Sequence, residues 1–401
     1  MTHFLFTSAP LPGHLDWGGY LRTAAALRRA GHEVTWVSTP AVAGQLAEAH
    51  VPLTTVPTTG WHIPPPSPAD LPPNARAWAR QMRAIDSWLD VHEVAKGVIA
   101  LDQVVADLRP DVIASELFVT AAPIVAEKHD IPLVICGWPA QAMRQPARTP
   151  ADTAGQVAHE ARARLAQLWE RAHVAGRYWT DGGFWPVSPH GHVVYFSRSW
   201  YSEKAALLPH NQFVGGQFEA PAGSPPAWME TLPADRPLVM ITLGSLFTHD
   251  EGFFVAAAQA VLHVGGCPIV AAGSQEWAAQ LRSQLPPAAI VQPWVAYDWL
   301  LPRLDLVIHH GGVGTTHAAI VHGVPQLIIP HAGDQANQAR RAAAAGIALT
   351  LPATQVTAAE LLPVVARLLK DPRWREHATA WQNEFARLGG VDQAARWMSQ
   401  L

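Results

Sequence analysis

The sequence predicts two α/β domains, each built on a parallel sheet between helices and joined by a proline-rich linker. At 401 residues the chain exceeds one ordinary domain of roughly 100 to 200 residues. In both halves short continuous apolar runs alternate with helical stretches, as strands buried on two faces do with their crossover helices. Between the halves, the stretch 219–237 carries Pro221, Gly223, Pro225, Pro226, Pro233 and Pro237, the composition of a surface connection. The expected division is a first domain over 1–218, the linker 219–237, a second domain over 238–380 and a helical tail over 381–401.

In the first half, the apolar run 4–7, the helical stretch 21–30 and the run 33–38 make a βαβ opening. The runs 111–114 and 132–136, around a helix ending near 128, repeat it. In the second half, 238–243, 268–272, 290–292, 304–309 and 326–329 read as strands with helices between them. Past residue 356, Leu361, Leu362, Val365, Leu368 and Leu369, then Trp374, Trp381, Phe385 and Trp397, fall at helical intervals and predict terminal helices. No internal repeat of about 20 to 50 residues marks a solenoid or propeller. A crevice between two such domains is the expected binding site.

Composition removes several function classes. With 49% hydrophobic and 15% charged residues the chain has enough apolar surface to bury, which excludes global disorder. The 28 basic and 32 acidic residues leave a net charge of −4, so no positive field exists to hold a nucleic acid. Two cysteines, Cys136 and Cys267, lie far apart and form neither a disulfide scaffold nor a zinc site, as expected in a reducing cytoplasm. The first residues lack a basic leader, and no run of about 20 apolar residues offers a membrane span, so a cytoplasmic protein is expected.

The stretch His309-His310-Gly311-Gly312-Val313-Gly314-Thr315-Thr316 follows a predicted strand and opens a predicted helix. Glycines let the backbone come close to a ligand, and the amides of a helix start favour an anion, so a phosphate site is one reading. A glycine turn that only closes a strand is the other, and spacing alone does not separate them. Further on come Gly323-Val324-Pro325 and Pro330-His331-Ala332-Gly333-Asp334-Gln335-Ala336-Asn337-Gln338. With Trp294 and Leu243-Gly244-Ser245 upstream, and Gly13-His14 after the first strand, this order resembles the donor-binding signature of family 1 glycosyltransferases. Those are nucleotide-sugar enzymes of the GT-B fold, two Rossmann-like domains facing an interdomain cleft.

The resemblance implies that Trp294 stacks on the donor's base and that His310, Thr315 and the backbone of Gly312, Val313 and Gly314 hold the diphosphate. Gly244 and Ser245 would add to the phosphate contacts, and Asp334 and Gln335 would grip sugar hydroxyls. The chemistry agrees: an indole offers a flat apolar face, amides and a hydroxyl suit phosphate oxygens, and a carboxylate beside an amide suits a ring of hydroxyls. Taken singly, Trp294 is one of 17 tryptophans and reads as core, His310 as a satisfied turn histidine and Asp334 as a helix cap. Their joint order argues otherwise. His309 and His331 are expected to be structural, since no carboxylate or cysteine stands at metal-ligand spacing from them.

In the first domain His14 falls in the loop over the carboxyl end of the first strand, where α/β sheets place ligands. An imidazole that titrates near neutrality can take a hydroxyl proton there, so His14 is the expected general base. Glu116 ends another predicted strand where the family usually carries an aspartate. It is expected to orient the imidazole and support its charge; the alternative is a solvated glutamate at a helix start. The chain departs from the family pattern at Leu15-Asp16-Trp17-Gly18-Gly19, which lacks the usual proline. It departs again at Ala318, where many members carry a glutamate for the ribose, and at Ala296-Tyr297, where plant members carry proline and glutamine.

On the acceptor side, Pro64-Pro65-Pro66 and Pro72-Pro73 mark a stiff loop ahead of a helix with Trp78, Met82, Ile85, Trp88 and Leu89 near one face. Trp78, Met82, Trp138 and Met143 are expected to line an apolar acceptor pocket, while Trp169, Tyr178, Trp179, Phe184 and Trp185 are mostly core. Arg76, Arg80 and Arg83 beside Trp78 also permit peripheral membrane contact.

The expected activity is inverting transfer of a sugar, by family frequency glucose from uridine diphosphate, to a hydroxyl of a small lipophilic or aromatic acceptor. No D-x-D triplet occurs to hold a divalent ion, so no metal or other cofactor is expected and the nucleotide sugar is a co-substrate. Two other functions use the same fold: a nucleotide-sugar epimerase, and a non-catalytic protein that only binds the nucleotide sugar.

Overall fold

Seven parallel strands organise the first unit of the protein, seen in a computed structural model that describes all residues except 16–17, 66–71, 137–142, 144–151, 181, 203, 222, 245–249 and 332–333. This unit comprises Met1–Tyr195, Glu203–Val214 and Val391–Leu401. Its elements run β1 (His3–Thr7), α1 (Pro12–Leu15), α2 (Tyr20–Arg29), β2 (Glu33–Ser38), α3 (Ala43–Glu48), β3 (Leu53–Thr55), α4 (Pro73–Leu89) and α5 (Val91–Leu108). They continue with β4 (Val112–Ser115), α6 (Ala121–Lys128), β5 (Leu133–Cys136), α7 (Thr153–Ala172), β6 (His192–Val194) and β7 (Asn211–Phe213). The strand order is β3-β2-β1-β4-β5-β6-β7.

Every residue of β1 is buried, because its alternate side chains feed two cores: Phe4 and Phe6 pack with Leu27 and Trp36, whereas Leu5 packs with Ile113 and Ile124 on the other face. Thr7 stands opposite Ser115 in the β1–β4 pairing, so Ser8 and Glu116 emerge from neighbouring strand ends. The long helices α5 and α7 are fixed at their starts by side chains. Asp90 accepts hydrogen bonds from the His92 and Glu93 amides at α5, and Asp152 from the Gly155 amide at α7.

The second unit, Phe196–Ser202 and Gly215–Gly390, repeats the plan with six parallel strands. It runs β8 (Leu238–Thr242), α8 (Glu251–His263), β9 (Cys267–Ala271), α9 (Gln275–Gln284), β10 (Ile290–Gln292), α10 (Tyr297–Leu300) and β11 (Leu306–His309). Then follow α11 (Val313–Val321), β12 (Gln326–Ile328), α12 (Gln335–Ala344), β13 (Ala348–Thr350), α13 (Ala358–Lys370) and α14 (Arg373–Arg387). The order is β10-β9-β8-β11-β12-β13. Again alternate residues divide: Val239 and Ile241 join Phe253 and Val261, while Met240 joins Ile269 and Val307.

Three features differ from the sequence reading. The strands β3, β6, β7 and β13 are three residues each and include polar His192, Asn211, Gln212, Thr54, Thr55 and Thr350, so no apolar run betrays them. Inside 219–237, a 3-10 turn over Ala227–Thr231 buries Met229, Leu232 is buried beside it, and Arg303 Nη1 donates to the Met229 carbonyl at 2.9 Å. The stretch is thus packed against the second unit's core rather than free on the surface. The tail divides: α14 counts with the second unit, whereas α15 (Gly390–Met398) sends Val391, Ala394, Ala395 and Met398 into the first unit's core. Among the described residues no helix is long and apolar enough to cross a membrane.

Candidate functional site

The carboxyl ends of β8 and β11 lie level in the second unit, with Thr242 opposite His309. Thr242 Oγ1 accepts a hydrogen bond from the Gly244 amide at 3.1 Å, and the chain turns there with Gly244 at φ 71°. After β11, Gly311 takes φ 87°, a conformation that suits glycine. Its amide donates to His309 Nδ1 at 3.1 Å, and His309 Nε2 lies 2.9 Å from Gln326 Oε1. An amide N–H only donates and a carbonyl oxygen only accepts, so His309 carries its proton on Nε2. Burial pulls its pKa down to about 4. His309 is therefore the structural residue that was expected.

His310 fills the space beside two glycines. A Cβ on Gly244 would lie 2.7 Å from its Cε1, and a Cβ on Gly312 would lie 2.3 Å from its Nε2. Burial first, then the neighbouring His309 and His331, lower its pKa to about 3, so the ring is neutral at working pH. The two glycines are needed here for space, and at Gly312, where φ is −61°, for space alone.

Helix α11 then opens without a side-chain cap, on Gly312. Asp250 caps α8, Ser274 caps α9 and Thr357 caps α13, whereas α10, α12 and α14 open like α11 without a side-chain cap. With no acidic residue in its first turn either, the start of α11 keeps the positive end of its dipole for something else. Thr315, in that turn and 7% exposed, has its Oγ1 3.2 Å from Tyr297 Oη. Tyr297 lies three residues past Trp294, so the tryptophan's segment is tied to α11. Trp294 itself is 61% exposed and, among the described residues, is the one tryptophan standing mostly in solvent. Ring area of that size left wet invites a stacking partner.

At α12, Asp334 occupies the cap position without making a cap bond. Its Oδ2 is buried with no hydrogen-bond partner among the described residues, and burial raises its pKa to about 6. Gln335 is buried, and its Oε1 accepts from the His331 amide at 2.8 Å, which uses one of that oxygen's two lone pairs. His331 donates from Nδ1 to the Ile329 carbonyl at 2.8 Å and turns Nε2 toward Asp250 at 3.3 Å, so its surroundings are structural. Gly314 sits in the first turn of α11. Ser245 lies outside the described residues.

In the first unit, His14 belongs to the one-turn helix α1. The loop before it is clamped from several sides. Tyr20 Oη lies 2.9 Å from both the Thr7 and the Ala114 carbonyls, Trp36 Nε1 donates to Ser8 Oγ at 3.2 Å, and Ser38 Oγ donates to the Ser8 carbonyl at 3.1 Å. Glu116 completes the clamp: its Oε1 accepts from the Ala9 amide. Glu116 is 1% exposed and the next helix starts only at Ala121, which overturns the reading of a solvated glutamate at a helix start. The strand end on which it sits is covered on both faces, so no solvent reaches it.

Of the expected acceptor residues, Trp78 and Met82 are partly buried on α4 and Met143 pairs with Leu207 in an isolated antiparallel bridge, while Trp138 lies outside the described residues. The rest of the apolar face of α4 is spent on the core. Ile85, Trp88 and Leu89 are buried, and Trp88 stacks on Trp185 at 4.2 Å. Arg83 donates to the Pro64 and Pro65 carbonyls and fastens the proline loop, which removes one of the three arginines offered for membrane contact. The clamp residues Tyr20 and Trp36, and the Tyr297 contact, escaped the sequence reading.

Comparisons with known proteins identify the family. Residues 266–388 match the model of the erythromycin biosynthesis protein CIII-like C-terminal domain. A demethyllactenocin mycarosyltransferase of Streptomyces fradiae is 26% identical over 409 residues, covering 98% of this chain and 85% of its own. The elloramycin glycosyltransferase of Streptomyces olivaceus is 31% identical over 306 residues, 72% of this chain and 68% of its own. Among solved structures, the glycotransferase of kitacinnamycin superposes with a TM-score of 0.77 at 21% identity, covering 100% of this chain and 98% of that one.

Two parallel-sheet Rossmann-like units and the structural likeness define the GT-B fold, and the 31% identity to the elloramycin enzyme makes the chain a glycosyltransferase. The chain belongs to the family 1 glycosyltransferases of bacterial natural products, enzymes that use nucleotide sugars.

Proposed function

We propose that the enzyme transfers its sugar with inversion, to a hydroxyl of a small lipophilic or aromatic acceptor, with His14 as general base and no metal ion. The observation that carries this reading is the opening of α11, where uncapped amides follow a neutral imidazole and stand beside the Thr315 hydroxyl. That set suits the two phosphates of a nucleoside diphosphate, and the exposed Trp294 ring suits its base.

In this reading His14 takes the proton of the acceptor hydroxyl as its oxygen attacks the anomeric carbon. The bond from that carbon to the diphosphate oxygen breaks on the opposite face, and the diphosphate leaves with the electron pair. Its growing charge is met by the α11 amides, Thr315 and His310. Glu116 acts through the loop it braces. Asp334, whose buried Oδ2 has no hydrogen-bond partner among the described residues, accepts from sugar hydroxyls in this reading. Metal independence rests on the missing D-x-D triplet and on this alternative source of positive potential.

The relative named as a mycarosyltransferase supports a sugar other than the glucose expected from family frequency, and a structural neighbour, a spinosyn rhamnosyltransferase complexed with thymidine diphosphate, supports that carrier beside uridine diphosphate. The test is a panel of both nucleotides' sugars against phenols and macrolides, read by mass increment, with and without chelator. Acceptor-dependent nucleotide release that disappears in His14→Ala supports the proposal. Unchanged release in that variant, loss of turnover with chelator, or conversion of donor alone would each count against it, the last in favour of an epimerase.

A further inference from the structure

The contact between Tyr297 and Thr315 is one step of a longer chain of hydroxyls. Gly244 N–H lies 3.1 Å from Thr242 Oγ1, and Tyr297 Oη lies 3.2 Å from Thr315 Oγ1. The Thr242 side chain also lies beside Tyr297, and burial raises the tyrosine's pKa against the Thr315 and Thr242 hydroxyls, which lower it, so it stays a neutral donor. Thr242 is 2% exposed, which leaves its hydroxyl little besides these partners to satisfy it.

Each hydroxyl has one proton to give, and the ends of the chain decide its direction. The Gly244 amide only donates, so Thr242 Oγ1 accepts from it and gives its own proton to Tyr297 Oη. A phosphate oxygen at the start of α11 only accepts. Thr315 meets it as a donor by taking the Tyr297 proton on its own oxygen. Each of the three hydroxyls then donates once and accepts once. Hydrogen bonds aligned this way polarise one another, which strengthens the last donor.

We propose that Tyr297 is a positioning residue for the donor diphosphate: a relay running Gly244, Thr242, Tyr297, Thr315 sets the Thr315 hydroxyl as a donor toward phosphate. The inference rests on the reading of Thr315 as a phosphate contact. No role for Tyr297 follows from the donor signature itself, in which its position was noted only as a departure.

The test measures the affinity of thymidine diphosphate, uridine diphosphate and the matching nucleosides for wild type, Tyr297→Phe, Thr242→Val, Thr315→Val and the Tyr297→Phe/Thr315→Val pair. Tyr297→Phe should weaken diphosphate binding about 3- to 10-fold, the worth of one hydrogen bond, and leave nucleoside binding unchanged. Thr242→Val, which touches no ligand, should shift it the same way by less. In the Thr315→Val background, Tyr297→Phe should add nothing. The relay is overturned if Tyr297→Phe weakens nucleosides as much as diphosphates, if its effect persists without the Thr315 hydroxyl, or if Tyr297→Phe and Thr242→Val are both silent. Should Tyr297→Phe not fold, Thr242→Val decides alone. A silent Thr315→Val sinks the phosphate reading itself and the relay with it, whereas a harmful Thr315→Val beside a silent Tyr297→Phe sinks only the relay.

Discussion

His310 packs so tightly on Gly312 that a Cβ at position 312 would lie 2.3 Å from its Nε2. Because Gly312 has φ −61°, which any residue adopts, the demand is for volume and not for backbone freedom. Gly312→Ala should therefore cost about 1–3 kcal/mol of stability and lose nucleotide binding. In a His310→Ala background the added cost should fall close to zero, a non-additivity that denaturant unfolding of the four proteins measures.

Trp294 separates stability from binding. At 61% exposure its ring adds little to the core, so Trp294→Ala should leave unfolding within about 0.5 kcal/mol of wild type. Loss of base stacking should nonetheless weaken nucleoside diphosphate by about 1–3 kcal/mol. Unchanged affinity, measured by calorimetry, would remove Trp294 from the donor site.

Glu116 holds the Ala9 amide, and Ala9 is buried. Glu116→Ala strands that N–H away from water, at a cost of about 1–3 kcal/mol. Since the loop leads to His14, turnover should fall while affinity for nucleoside diphosphate, held in the other unit, stays unchanged. An equal loss of both would mean that the substitution unfolds more than its own loop.

Acid should expose the buried histidines. His309 and His310 have folded pKa values of about 4 and about 3 against 6.5 when free, so between those values the unfolded chain binds more protons. Their contribution is complete above about 6.5 and is lost as pH falls toward 4 and 3. Asp334 opposes them. Its pKa is raised from 3.8 to about 6, so its contribution is complete below 3.8 and lost as pH rises through 6. Asp334→Asn should raise stability at pH 7 and steepen the loss between pH 6 and 4, read from denaturation midpoints across that range. Asparagine lacks the charge to grip sugar hydroxyls, so the same variant should lose turnover.

Continuous apolar runs such as β1 and β8 were legible because burial on both faces leaves no polar position to interrupt them. The three-residue strands β6, β7 and β13 were not, since residues such as His192, Asn211 and Thr350 carry no pattern of their own. The stretch from His309 to Thr315 was legible because a glycine turn from strand to helix is a local device, written in consecutive residues. Glu116 and Ala9, 107 residues apart, and Tyr297 and Thr315, 18 apart, meet only through the fold. Gln335 stood out by residue type, whereas the bond its carbonyl accepts from the His331 amide is visible only in the fold. Proline count overstated the freedom of 219–237, because Met229 and Leu232 within it found a core.

The opening of α11 is best tested by hydrogen exchange on the wild-type protein with and without saturating thymidine or uridine diphosphate. Slowed exchange at the amides of Val313, Gly314 and Thr315, absent when the nucleoside alone is added, is the predicted result. Diphosphate bound at full occupancy with those amides exchanging as fast as before would contradict it.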